Sequence, residues 1–170
     1  MSFTIEKLIR LINKRDFCIL GTQGKNGPHV SGVSFFADGL DLYILTGAKT
    51  AKARNLRRNK QVAVNIPVPF RLIPAPMRSI QFRGTGEFLP IDDSNANRVL
   101  DNQSFFMRRG IKKLLDEVDV GKYGENIWIR IRPTGKIETF MVGVPLSSFS
   151  GDMSGAVKHY DTRDFEKDTE

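Results

Sequence analysis

The densest chemistry in this sequence lies in residues 46–58, Thr46-Gly47-Ala48-Lys49-Thr50-Ala51-Lys52-Ala53-Arg54-Asn55-Leu56-Arg57-Arg58. Thr46 ends an apolar, strand-like run, a turn follows, and a helix starts near Thr50. A helix start presents unpaired backbone N–H groups and the positive end of the helix dipole, both of which attract phosphate. The Thr50 hydroxyl with the cations Lys52 and Arg54 would complete an oxyanion cradle. The same residues also read as a solvated basic helix face. Taken alone, the segment does not choose between the two. Arg57 and Arg58 read as surface charges.

Other reactive residues are sparse. Cys18 sits in the apolar run Phe17-Cys18-Ile19-Leu20 and reads as a buried, inert thiol. His29 opens a strand just after a turn and reads as a hydrogen-bonded structural histidine, with a ligand or acid/base role as the alternative. His159 lies in a polar tail, and two distant histidines with one cysteine make no metal site. Gly21, Gly24 and Gly27 have dinucleotide-like spacing but open no helix, so they mark a hairpin turn. No Ser/His/Asp order suggests a nucleophilic triad.

The chain has 170 residues, 40% apolar and 26% charged, with a formal net charge of +7. Those values fit one soluble domain with a real core and favour anionic partners: nucleic acid, acidic membrane surfaces or phosphorylated small molecules. No apolar run approaches the length of a membrane helix, and charges interrupt residues 1–15, so the expected location is cytoplasmic. A basic chain without a recognition-helix motif or a stacking strand of aromatic and basic residues is a poor nucleic-acid binder.

The elements that must position residues 46–58 follow from periodicity. Ile5, Leu8, Ile9 and Ile12 give residues 2–15 a helical stripe. Residues 17–22 and 29–36 read as a hairpin around a Gly-rich turn, and Asp38-Gly39 as a second turn into a strand over 41–46. A short helix over 50–59 and a strand over 61–66 follow. The stretch 67–78 contains four prolines and reads as a rigid extended loop in which Phe70, Arg71 and Arg78 could shape a pocket. Residues 79–89 resume as a strand, where Gly84 and Gly86 suggest a bulge or a close backbone approach. Residues 92–118 read as a helical insert broken near Gly110. Residues 126–132 and 136–142 read as a last hairpin around Thr134-Gly135. From Ser147 onward the chain is polar and Gly-rich, with partial disorder expected. The expected fold is α+β and mainly antiparallel, a β-barrel of six to seven strands with flanking helices, all within residues 1–146.

The ordered set of motifs resembles a known family. Residues 46–58, with the pattern T-x-x-x-T-x-K-x-R-N-L-R-R, are similar to the phosphate-binding segment of the pyridoxamine 5'-phosphate oxidase-like, FMN-binding split β-barrel superfamily, in its flavin/deazaflavin oxidoreductase branch. Leu20-Gly21-Thr22-Gln23-Gly24-Lys25-Asn26-Gly27-Pro28-His29-Val30-Ser31 is similar to the family's first hairpin, and residues 35–43 to its next one. The resemblance is continuous over 17–66, in register over 79–90 and vague over 126–142. It implies a homodimer with flavin at the subunit interface. It implies phosphate contacts from Thr50 and Lys52 helped by Arg54, a ribityl contact near Thr46, and backbone contacts to the ring edge from Ser31, Gly32, Val33 and Ser34. The oxidase's C-terminal signature is absent: Trp128 is followed by Ile129-Arg130-Ile131-Arg132 without its histidine, so the vitamin-phosphate site is not expected. The implied function is an FMN-dependent oxidoreductase passing hydride at flavin N5 to or from a small planar substrate, with no charged catalytic side chain. The alternatives are a deazaflavin (coenzyme F-420) reductase or a non-catalytic flavin- or haem-binding protein.

Overall fold

In the computed structural model, residues 3–69, 78–144 and 155–167 are described. The chain opens with helix α1 (Ile5–Ile12), whose Leu8 and Ile12 are fully buried one turn apart. Such burial contributes about 1.5–3 kcal/mol per side chain. Asn13 closes the helix and donates through Nδ2 to the carbonyls of Ile9 and Gly39, tying it to the sheet.

Strands β1 (Phe17–Gly24) and β2 (Gly27–Ser34) form the first hairpin, and Gly27 holds its turn at φ 119°. Cys18, Leu20 and Thr22 point inward along β1, while Phe17 and Ile19 point out. Strands β3 (Phe36–Asp38) and β4 (Asp41–Gly47) form the second hairpin around Gly39. Helix α2 (Ala51–Arg58) leads to β5 (Gln61–Val68), and β6 (Arg78–Leu89) pairs back on it. The strand order is β2-β1-β5-β6-β7-β4-β3, antiparallel throughout. The sheet curls around one core that includes Leu20, Leu42, Val64, Ile80 and Ile131. Helix α2 reaches that core through Leu56, which packs at the site where a Gly86 side chain would stand. The fold is an α+β split barrel.

Four readings of the sequence are corrected. The expected last hairpin is a single strand, β7 (Asn126–Phe140). Its first half lies between β6 and β4, and its second half between β6 and β8 (Val157–Asp161). Pro133 and Gly135 mark the corner, and the register shifts between Phe82 and Gly84 on the facing strand. The polar stretch after Ser147 therefore supplies an eighth strand, followed by helix α6 (Thr162–Lys167). The insert breaks at residues 102–104, between α3 (Ser94–Asp101) and α4 (Phe105–Glu117), because the Ser104 side chain caps α4. Gly110 stays inside α4 with no atom within 4 Å of where a Cβ would stand, and an exposed helical glycine is tolerated at about 1 kcal/mol. A one-turn helix, α5 (Val120–Tyr123), closes the insert. The proline-rich stretch begins later than expected, because β5 keeps Pro67 paired with Ser79. Phe70 and Arg71, with the other residues of 70–77, lie outside the described residues.

Candidate phosphate site

The turn between β4 and α2 has almost every backbone group occupied. The Gly47 carbonyl accepts from the Thr50 hydroxyl at 2.8 Å and the Thr50 amide at 3.2 Å. The Ala48 carbonyl accepts from Arg57 Nη1 at 2.7 Å, and the Lys49 carbonyl from Arg54 Nη1 at 2.6 Å. On the other side, the amides of Ala48 and Lys49 donate to the carbonyls of Glu125 (2.8 Å) and Tyr123 (2.7 Å), and Lys49 Nζ donates to the Gly121 carbonyl at 3.3 Å. Asp119 caps α5 by accepting from the Lys122 amide. Two glycines permit this contact. A Cβ on Gly47 would stand 2.4 Å from the Tyr123 oxygen, and Gly124, at φ 76°, would press a Cβ to 2.9 Å from Lys49 Cγ.

The start of α2 stays open. Thr50 caps α2 without accepting a bond from the helix, so the amides of Ala51, Lys52 and Ala53 have no acceptor among the described residues. No acidic residue stands in the first turn. Lys52 is half-buried, and desolvation lowers its pKa because burial disfavours the ammonium. It forms no ion pair among the described residues. The Thr46 and Thr50 hydroxyl oxygens stand 3.4 Å apart. They border a cavity of about 180 Å³ whose other walls include Leu45, Leu115, Val118 and Tyr123. Helix-end amides, a desolvated cation and paired hydroxyls have the chemistry to bind a phosphate.

The sequence-predicted residues divide by role. Thr46 and Thr50 come together at this end of the sheet, while Lys52 lies in the first turn of α2 and is not among the walls of their cavity. Arg54 is turned back onto the Lys49 carbonyl, where it braces the turn. Arg57 is not a free surface charge: it binds Ala48 and lies 5.3 Å from the centre of the Phe88 ring. Asn55 went unremarked in the sequence, yet it is buried and donates to Thr22 Oγ1 at 3.0 Å, locking α2 onto β1. The signal for it was an amide among basic residues, next to the buried Leu56 and two residues from the buried Ala53. Arg78 donates to the Pro69 carbonyl at 3.0 Å.

Ser31, Gly32, Val33 and Ser34 belong to β2, which ends the sheet and lies against β4 and α2. An end strand keeps one edge of backbone donors and acceptors available for a ligand. Val33 itself packs into the core. Ser31 Oγ and His29 Nδ1 are buried without a hydrogen-bond partner among the described residues. Cys18 is buried, and its thiol pKa is pushed up to about 12, as an inert thiol requires. No cluster of metal ligands and no helix long and apolar enough to cross a membrane occurs among the described residues.

Comparison with known proteins places these features in a family context. The sequence profile of the pyridoxamine 5'-phosphate oxidase family matches residues 4–115. The fold is similar to the haem storage protein HutZ from Vibrio cholerae, with 18% identity over 81% of this chain and 94% of that one and a TM-score of 0.63. A FAD-binding protein from Mesorhizobium loti is similar at 16% identity over 76% of this chain and 87% of its own, with a TM-score of 0.56. A haem-binding protein from Mycobacterium smegmatis aligns at 14% identity over 95% of this chain and 59% of its own, with a TM-score of 0.67. No curated protein matches the sequence.

Proposed function

The chain belongs to the pyridoxamine 5'-phosphate oxidase family, and from that premise we propose that it is an FMN-binding oxidoreductase working as a cytoplasmic homodimer. The observation that carries the reading is the α2 N-terminus, where open amides, Thr50 and a desolvated Lys52 stand without an acidic neighbour. These groups would hold the flavin phosphate, Thr46 the ribityl chain, and the open edge of β2 the ring. Ser31 Oγ, without a hydrogen-bond partner among the described residues, would supply a further polar contact on that strand. Bound flavin would supply hydride transfer at its N5 atom. The residues around it bind and orient, and none is needed as an acid or base. Phe17, Ile19 and Val30 are 46%, 37% and 65% exposed on the outer side of the β1–β2 hairpin, an apolar surface that supports a second copy packing there.

The visible spectrum of the purified protein, with FMN titrated into any colourless fraction, tests the cofactor. Two flavin bands, or saturable uptake of added FMN, are expected. A single deazaflavin band would move the reading to coenzyme F-420. A Soret band with no flavin uptake would move it to the haem-binding side of the fold. Failure to bind any of the three would overturn it.

A further inference from the structure

A second recess adjoins the phosphate site. It is a cavity of about 510 Å³ formed by α3 and α4, lined by Leu100, Phe105, Ile111 and Leu115 together with Arg108 and Arg109. Leu115 also lines the smaller cavity beside Thr46 and Thr50, so the two recesses share a wall. The larger cavity is mostly hydrocarbon. Its charged rim is two exposed guanidiniums against one carboxylate, Asp101. The ion pairs made by the insert among the described residues are Arg98–Asp38 and Lys113–Glu117, so neither Arg108 nor Arg109 is neutralised within it. An apolar recess rimmed by two guanidiniums that form no ion pair among the described residues favours an apolar body carrying a carboxylate, sulfonate or phosphate over neutral or cationic analogues.

We propose that this recess is the subsite for a second ligand of the protein, a small amphipathic organic anion held beside the phosphate end of the flavin. The proposal rests on the flavin reading for that neighbour, but not for the anion's own binding. Anilinonaphthalene sulfonate and its uncharged counterpart, N-phenyl naphthylamine, differ only in the anionic group and are the probes. The full-length chain, flavin-loaded, is titrated with each by fluorescence, as wild type and as Arg108→Gln/Arg109→Gln. Saturable binding of the sulfonate near one per chain is expected, weakened at least about tenfold in the double variant, as losing a charge-assisted contact implies. Binding of the uncharged dye and the affinity for FMN are expected to be unchanged. Equal binding of the sulfonate by both proteins would overturn the proposal. So would a recess that takes neither dye, or dye uptake that rises only as the chain dissociates on dilution, which would make the groove an interface between copies. FMN affinity is read in the same samples, so failure of the flavin reading registers separately.

Discussion

The turn at residues 47–50 and the helical insert at 94–117 both border the smaller cavity, yet they are built in opposite ways. The turn has its carbonyls filled by Thr50, Arg54 and Arg57, and two of its amides are taken by the carbonyls of Tyr123, at the end of α5, and Glu125. Its cations point back into the protein and hold backbone. The insert leaves Arg108, Arg109 and Gly110 exposed, and Phe105 is 62% exposed at its start. One region is preorganised, so little ordering remains when a phosphate arrives. The other offers charge and apolar surface that a ligand must organise. Identical substitutions in the two regions should therefore have opposite outcomes.

The largest contrast is between two glycines. Gly47→Ala forces a Cβ to 2.4 Å from the Tyr123 oxygen and should destabilise the fold by about 3 kcal/mol, as overpacking against backbone does. Gly110→Ala meets open space in a helix and should stabilise by about 0.5–1 kcal/mol. Urea unfolding of both variants measures the difference, and shifts of the same sign would break the comparison. Gly124→Ala should fall between them, destabilising by about 1–2 kcal/mol through its positive φ and its contact with Lys49.

Removing a brace should be milder. Arg54→Ala or Arg57→Ala frees a carbonyl of the turn and should weaken FMN only about threefold to tenfold, because both guanidiniums are exposed and solvent screens them. Isothermal titration reads this directly, and an unchanged affinity would mean that the turn holds its shape without them.

The smallest effect is the pH profile of FMN binding. Affinity should fall below about pH 6 as the phosphate loses a charge. It should fall again on the alkaline side as Lys52 deprotonates, starting earlier than an ordinary lysine would, because burial lowers its pKa. The alkaline limb should disappear in Lys52→Ala.

What was legible in the sequence was local. Alternation along β1, the Gly-rich hairpin turns and the helix start after Thr50 each act within a few residues. Features set by distant chain were not. Thr134-Gly135 looks like a hairpin turn but is a corner within one strand, because β6 pairs with β7 on both sides of it, up to Pro133 and again from Ile137. β8 is polar and half exposed, and it forms because β7 presents an open edge. Arg57 resembled a surface charge because its acceptor, the Ala48 carbonyl, lies nine residues away across the helix start. Asn55 gave no apolar signal, since its burial depends on Thr22. Gly110 misled in the other direction: a helix breaker by propensity, it sits where nothing competes with the helix.

The claim that the α2 N-terminus holds the flavin phosphate is tested most directly by comparing FMN with riboflavin, which lacks the phosphate, on wild type and Lys52→Ala. Lys52→Ala should cost about 1.5–3 kcal/mol of FMN binding, roughly 10- to 100-fold, with riboflavin affinity unchanged. Equal loss for both ligands, or none for either, would contradict the assignment.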